Sequence, residues 1–519
     1  MSETTAAPRK GWLGTIERIG NALPDPVFLF LYLVLALVAI SLVASWLGWS
    51  VVHPSSRETV VATSLLAPAN LQKLLVEMPT TFSHFHPLGY VLTVMLGAGV
   101  AERTGLFAAA MRLAVQGAPR MLLTPAVAFA AMMGNLAADA AYVVLVPLAG
   151  ALFAAAKRHP VAGIVAAFAG VSGGFSANLV PGQLDALLFG ITQSAAVTVQ
   201  PGWQANIAGN WYFIAAMLAV FLPVIWWVTD KVVEPRLGKW EPAEGAAEEK
   251  SAASGPLTAA ERKGLRAAAV ATLLVVALWV LMVVGIGTPL YDEAAASEAR
   301  LTPFYRSLVA GFLVLFLAAG WAYGAVAGTA RGHRAIVKMM SESMAELAYY
   351  LVLAFAAAHF VAMFQWSNLG LIFAVNGAET LRATGAPAPV LVGGIVLLTA
   401  LVNLFVGSAS AKWALLAPVL VPMMMLLGIS PEATTAVYRV GDSVTNIITP
   451  LMVYFPLVLA FCQRWIPGYG LGSLMASMIP YSGWLLLVGL ALAVGWVALE
   501  LPLGPDANVG WSAPPRPAR

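Results

Sequence analysis

The sequence predicts an all-α polytopic membrane protein built from two repeated halves, and three observations lead there. Hydrophobic residues make up 60% of the 519 positions and charged residues only 10%, with a mean hydropathy of +0.82. A chain this apolar cannot cover a globular surface with polar groups, so its solvent is largely lipid. Asn135 and Asn178 recur in the second half, at the same mutual spacing, as Asn403 and Asn446. Each of the four is followed by Leu or Ile, with a Pro beyond. Finally, several apolar stretches exceed one crossing and are interrupted by Gly, Pro and polar clusters. Polar residues and helix breakers at matching positions of two hydrophobic halves are the best sequence pointer to the substrate and ion site of a secondary transporter.

Composition excludes other classes. A net charge of +3 is too small to suggest nucleic acid as a partner. Cys462 is the single cysteine and can form no internal disulfide. The opening MSETTAAPRK is polar and lacks a short apolar core with a small-residue cleavage site, so no cleaved signal peptide is expected.

At roughly 20 apolar residues per crossing, simple spans fall near 27–47, 208–229, 267–288, 305–327 and 477–499. Residues 85–117 and 343–386 split around AERTGLF (101–107) and FQWSNLGLIF (364–373) into arms that look too short to cross. They are expected to be re-entrant hairpins, and Gly105 and Gly370, at nearly the same offset as the Asn pairs, extend the repeat. The stretches 121–156, 161–198, 388–428 and 431–463 are each expected to be one broken crossing. The expected total is nine transmembrane helices, several broken, and two hairpins.

This divides the chain into a cytoplasmic segment 1–26, a first membrane repeat 27–229, a linker 230–266, an extra helix plus second repeat 267–499, and a tail 500–519. The linker carries EPAEGAAEEKSAASGP and is expected to be flexible. The tail from Pro502 is expected to be disordered.

Orientation follows from Lys and Arg in short loops. Arg9, Lys10 and Arg18 place the start inside, and Lys157, Arg158, Lys231, Arg236, Arg331, Arg334 and Arg464 then fall inside as well. Loops 199–207 and 429–431 are nearly uncharged and fall outside, as does the C-terminus. Arg57, Lys73, Arg112 and Arg120 run against the rule. The first hairpin then enters from outside and the second from inside, which makes an inverted repeat.

Irregular backbone is tolerated in lipid only where protein or a water-filled cavity satisfies its amides, so the breaks carry the chemistry. In the first half, Asn135 and Asp139 are four apart and share a helix face; Asp185 follows the break from Asn178 to Gly182, and Asn210 begins a later span. In the second, the break Gly407-Ser408-Ala409-Ser410-Ala411-Lys412-Trp413 offers hydroxyls and an indole. Its companion, Arg439 to Asn446, offers Arg439 and Asp442, three apart and able to pair or converge.

Each has a structural reading beside the functional one. Asp442 could be a salt-bridge partner of Arg439, Asp139 could tie helices together, and Asp185 could simply favour a helix start. The Asn residues could cap broken helices, Trp413 could sit in an interfacial belt, and Met423 to Met425 read as packing. His84 and His86 lack a third ligand at suitable spacing. A membrane-embedded enzyme is disfavoured, with no HExxH, no phosphate-binding loop and only GVSGG around Ser172 as a GxSxG. A sodium-coupled di- or tricarboxylate symporter of similar inverted architecture is the nearer rival.

The segments IERIGNALPDPVFLF (16–30), GAGVAERTGLF, FSANLVPGQLDALLFGITQSAA (175–196), SASAKWALLAPVLVPM and YRVGDSVTNIITPL resemble the p-aminobenzoyl-glutamate transporter (AbgT) family, from Ile16 to about Leu499. The resemblance implies a homodimeric secondary transporter of the bacterial inner membrane, with nine crossings and two hairpins. It would handle p-aminobenzoyl-glutamate or export sulfonamide antimetabolites, without a cofactor. The family's functional positions carry over to Asp185, Asn210, Asn403, Ser410, Trp413, Pro431, Arg439 and Asp442. In the expected mechanism Arg439 contacts the substrate carboxylate, Trp413 stacks on its ring, and the coupling ion is Na+ or H+. Na+ is expected at Asp185, Asn210 and Asp442.

Overall fold

Helices dominate because long apolar runs satisfy every backbone amide internally. The computed structural model describes residues 26–512 apart from 53–57, 116–118, 138–140, 239, 241–256, 285–287, 295–299, 450–451 and 453. Seven of the described helices are long and apolar enough to cross a bilayer: Val27–Trp46, Trp211–Leu237, Ala259–Leu281, Leu308–Ala327, Ala348–Trp366, Ala409–Leu426 and Leu471–Ala498. All five simple spans expected from sequence are among them. Helix Ala259–Leu281 leaves Leu273 and Leu274 68% and 66% exposed, an apolar surface suited to lipid. It starts at a capping box, in which Thr258 Oγ1 accepts the Glu261 N–H and the Glu261 carboxylate accepts the Thr258 N–H.

Loop contacts define two opposite faces, joined by helix Trp211–Leu237. On the first face, Arg158 binds Thr124 Oγ1 at 2.8 Å, Asp230 at 2.5 Å and Glu234, and Trp465 packs edge-on against Trp240. On the second, residues 502–512 lie over the loops 199–210 and 428–430. Leu503 O accepts the N–H of Tyr212 and Phe213, Val509 O accepts that of Ser430, and Gly428 O accepts that of Trp511. The expected disorder of the tail therefore does not hold through residue 512. The Leu503 and Val509 carbonyls thus pair donors left open at the starts of helices Trp211–Trp227 and Pro431–Val444.

The same contacts show where the chain turns back. Thr124 opens helix Leu123–Met133 and Arg158 follows helix Val146–Ala155, and the two are hydrogen-bonded, so 123–155 enters and leaves on the first face. Arg382 precedes helix Ala388–Asn403 and donates to Leu426 O at the end of helix Ala409–Leu426, 2.7 Å away, so 388–426 enters and leaves on the second face. Both are helix–break–helix hairpins, and they open on opposite faces as an inverted repeat requires.

This corrects the sequence reading, which made those segments broken crossings and put the hairpins at 85–117 and 343–386. The turns there are real, with Gly105 at φ +88° and Asn368 at φ +60°. Helix His86–Arg103, however, runs beside helix Leu308–Ala327 in the same direction. A Cβ on Gly97 would meet Leu313 O, one on Gly320 would meet Ala101, and one on Gly324 would meet Thr104. Small residues bring these two backbones together along most of the crossing helix. Ala348–Trp366 is itself long enough to cross. A long apolar stretch with a polar interruption fits one broken crossing or two half-length helices equally well; only the contacts at its ends decide.

The halves repeat in detail. Asn135 Nδ2 donates to Gly174 O at 3.2 Å and Asn403 Nδ2 to Asp442 O at 2.6 Å, in each case pinning a hairpin tip to a carbonyl 39 residues downstream. A Cβ on Gly441 would meet Thr399 Oγ1 and Val396 O, and one on Gly170 would meet Ala131 and Ala128 O. Ala131 and Ala128 precede Thr399 and Val396 by the same offset that separates Asn135 from Asn403.

Candidate functional site

The two breaks that follow the hairpins meet at the centre. Helix Pro160–Phe168 runs through a wide π-helical turn, Ala169–Gly173, into extended backbone before helix Gln183–Ala196 begins. Helix Pro431–Val444 ends at Thr445, and a single turn, Asn446–Ile448, follows. Asn446 Nδ2 lies 3.4 Å from Ser172 O, and a Cβ on Gly173 would touch Ile447. Ser172 is fully buried with its hydroxyl 3.8 Å from Met452 Sδ, a packing role.

A cavity of about 260 Å³ opens where the first hairpin tip faces this centre. Asn135, Asn178, Gly182, Asp185 and Arg439 line it, together with Phe175, Ser176, Tyr142 and Tyr350. Asp185 sits in the first turn of helix Gln183–Ala196 and reaches back to the Gly182 N–H at 2.7 Å, where a carboxylate is favoured by the unpaired donors. Its other oxygen accepts Arg439 Nη2 at 2.8 Å. Arg439 Nε donates to Asn210 Oδ1 at 3.1 Å, and Asn210 Nδ2 donates to Glu432 O at 2.9 Å. Asp185, Arg439 and Asn210 therefore form one buried unit that ties the halves together.

The second hairpin tip holds a different unit. Lys412, 1% exposed, binds Asp442 Oδ1 at 2.5 Å and also Asn403 Oδ1. The Tyr438 hydroxyl lies 2.7 Å from Ala409 O and 3.0 Å from Asp442 Oδ1. Trp413 stacks on Tyr438 with ring centroids 4.3 Å apart, and its Nε1 donates to Thr192 Oγ1 at 2.9 Å. Thr192 in turn bonds Thr435 at 2.8 Å, again joining the halves.

Several sequence expectations change here. Arg439 and Asp442 do not pair: Arg439 takes Asp185, and Asp442 takes Lys412. Trp413 is fully buried against Tyr438, so its indole is not presented to the cavity. Asp185, Asn210 and Asp442 are not brought to one point, and each already meets a protein cation or its ligand. Ser410 lies 3.2 Å from Ser408, beside a narrow apolar crevice that shares Leu187 and Tyr350 with the main cavity. Pro431 is the first residue of its helix, at the second face, where its missing N–H costs nothing. Asp139 lies outside the described residues. Sequence reasoning missed the roles of Lys412, Thr192 and Tyr438. Lys412 was legible, since an ionisable residue in an apolar run is a functional candidate by default; the other two need the helices packed.

Among the described residues, four buried atoms around the main cavity have no hydrogen-bond partner: Asn135 Oδ1, Ser176 Oγ, Asn178 Oδ1 and Tyr350 Oη. Each such group costs about 1–3 kcal/mol if left unpaired. Four around one cavity mark it as a place for a polar guest.

Comparison with known proteins agrees with this architecture. A model of the AbgT putative transporter family matches residues 11–511. The p-aminobenzoyl-glutamate transport protein of Escherichia coli (strain K12) is 37% identical over 506 residues, covering 97% of this chain and 98% of that protein. The crystal structure of the Alcanivorax borkumensis YdaH transporter, described as having an unusual topology, aligns with a TM-score of 0.87 at 42% identity, over 93% of this chain and 100% of that one. Neisseria gonorrhoeae MtrF, described as illuminating a class of antimetabolite efflux pumps, aligns with a TM-score of 0.89 at 41% identity, over 96% and 100%.

Proposed function

Because this chain belongs to the AbgT putative transporter family, we propose that it is an ion-coupled secondary transporter of p-aminobenzoyl-glutamate, related aromatic amides or sulfonamide antimetabolites across the bacterial inner membrane. The observation that carries the reading is the cavity beside the Asp185–Arg439 pair, where both halves contribute charge. Its volume is near the lower end of ligand pockets, roughly 300–1,000 Å³. An aminobenzoyl ring fits against Phe175 and Tyr350, and a glutamyl carboxylate against Arg439, whose planar guanidinium suits a bidentate contact. The start of helix Gln183–Ala196 adds N–H groups of the right sign for an anion.

Asp185 and Asp442 supply the charge that makes transport depend on a cation. Neutralising or releasing either carboxylate changes what its Arg or Lys partner must bind, and so biases one conformation of the two halves over the other. The Na+ or H+ that couples is carried at these breaks, with alternating access by movement of one repeat against the other. The first face is cytoplasmic, given its Arg158 and linker residues, which puts the C-terminus outside, and the working unit is a homodimer. A reporter fused after Arg519 that is active in the cytoplasm overturns the orientation, and native mass in nanodiscs tests the dimer.

The decisive experiment compares p-aminobenzoyl-glutamate, a sulfonamide and succinate in proteoliposomes under imposed Na+ or proton gradients. Gradient-driven movement of either of the first two supports the reading. Movement of succinate alone overturns it.

A further inference from the structure

The two hairpin tips are related by the repeat, yet only one carries its own cation. In the second half, Lys412 places an ammonium against Asn403 Oδ1 and Asp442 Oδ1. The matching positions of the first half, for Lys412, Asn403 and Asp442 in turn, are Val144, Asn135 and Gly174. There the Asn135 amide nitrogen keeps the repeated bond to the Gly174 carbonyl, while its Oδ1 meets no donor among the described residues. Asn178 Oδ1 and Ser176 Oγ, on the backbone just after Gly174, are likewise buried without a partner. Asn135 and Asn178 are 8% exposed and Ser176 2%, and all three line one cavity.

We propose that Asn135 Oδ1, Asn178 Oδ1 and Ser176 Oγ form a site for a sodium ion in the first half, at the position that the Lys412 ammonium fills in the second. Hard oxygen ligands on unwound backbone are the donor set such an ion takes in repeat-built transporters. All three donors are neutral. A divalent cation needs carboxylates to offset the cost of shedding its water, so the set selects a monovalent ion. The one carboxylate among the described residues that line the cavity, Asp185, is already neutralised by Arg439. The ion's charge is then balanced by an anionic guest at Arg439, so that ion and substrate each tighten the other's binding. That last step rests on the transport reading of this cavity; the ion site itself does not.

The test is the thermal midpoint of the purified, detergent-solubilised protein in NaCl, KCl or choline chloride at constant ionic strength, without substrate. A ligand that binds only the folded protein raises the midpoint with its concentration. The wild type should show a saturable rise specific to Na+. Ser176→Ala is the sharpest variant, because its hydroxyl makes no bond within the protein. It should match or exceed the wild-type midpoint in choline while needing roughly tenfold or more Na+ for the same rise, the scale on which metal sites respond to lost support. Asn178→Ala should behave alike; Asn135→Ala also loses two backbone bonds and is the poorer probe.

No Na+-specific rise in the wild type overturns the site and assigns those oxygens to ordered water. A rise of unchanged Na+ dependence in both Ser176→Ala and Asn178→Ala overturns its location. Failure of p-aminobenzoyl-glutamate transport with the Na+ response intact would overturn the substrate reading alone.

Discussion

The two hairpin tips perform the same structural task by different means. Each pins itself to the following break through an Asn side chain and a carbonyl 39 residues away. The second tip then closes on itself with a fully buried Lys412–Asp442 pair capped by Tyr438 and Trp413. The first leaves oxygens facing a cavity, and its carboxylate there, Asp185, is neutralised by Arg439 from the other half. One half is neutralised within its own tip, where among the described residues Asp442 Oδ2 alone meets no donor; the other is completed by the opposite half.

The largest expected effect tests the self-neutralised half. Asp442→Asn leaves the Lys412 ammonium buried without a counter-charge, which costs about 3–5 kcal/mol. Gradient-driven transport should collapse and the thermal midpoint should fall. Adding Lys412→Met should restore the midpoint without restoring transport, since replacing both members of a buried pair is near neutral. If the single variant transports like the wild type at normal expression, the pair is structural only.

Lys412→Met alone should make the second tip resemble the first, freeing Asn403 Oδ1 and Asp442 Oδ1. Its midpoint should drop in choline and recover with added Na+ more than the wild type responds. An equal drop in both salts would separate the two tips chemically. Asp185→Asn should abolish transport as well, at a smaller cost in stability of about 1–3 kcal/mol. Each cation keeps one amide oxygen, Asn210 Oδ1 for Arg439 and Asn403 Oδ1 for Lys412, but Arg439 also keeps the Phe189 ring at 5.8 Å and a place on the cavity wall, which lowers its cost. A midpoint loss equal to that of Asp442→Asn would erase the contrast.

Smaller effects lie away from the centre. His159 caps helix Pro160–Phe168 by accepting the Val161 N–H on Nδ1. Burial holds its pKa below the usual imidazole value, against the opposing pull of Glu234. Its folded pKa is thus below the unfolded one, about 6.5. Its stability contribution is full above that pH and is lost as pH falls below it, toward the folded value. His159→Asn keeps a capping oxygen and should flatten the midpoint-versus-pH curve below about pH 6.5; an unchanged curve would place the acid sensitivity elsewhere. Leu487→Ala, at a 56% exposed position, should be silent in transport and change stability by less than about 0.5 kcal/mol.

Much of this was legible in the sequence. The membrane class follows from composition, the five simple spans follow from run length, and the repeat is visible in four Asn residues. The placement of breaks by Gly, Pro and polar clusters is a local matter of propensity, and the structure breaks the helices at Gly407–Ser408 and Asn178–Gly182; at Arg439 to Asn446 the helix continues through Val444 and breaks only at Thr445. Asp185 could be read as a carboxylate near a helix start for the same reason.

Tertiary structure alone decided the rest. A polar break in an apolar run marks irregular backbone but not whether the chain then continues or reverses, because both solutions satisfy the same amides. The Thr124–Arg158 and Arg382–Leu426 bonds settle it. With the first face cytoplasmic, as proposed, the reassignment also accounts for two basic residues that ran against the orientation rule. Arg112 binds Glu261 at the linker face, and Arg120 directly precedes the hairpin that opens there. Charge pairing was equally undetermined. Spacing of three on one helix makes Arg439 and Asp442 candidates for each other, but such a surface pair gains only a few tenths of a kcal/mol, ~0.2–0.5. A buried charge takes the partner that desolvation and packing present, and neither partner is local in sequence. Asp185 belongs to the other half of the chain from Arg439, and Lys412 stands on a different helix from Asp442.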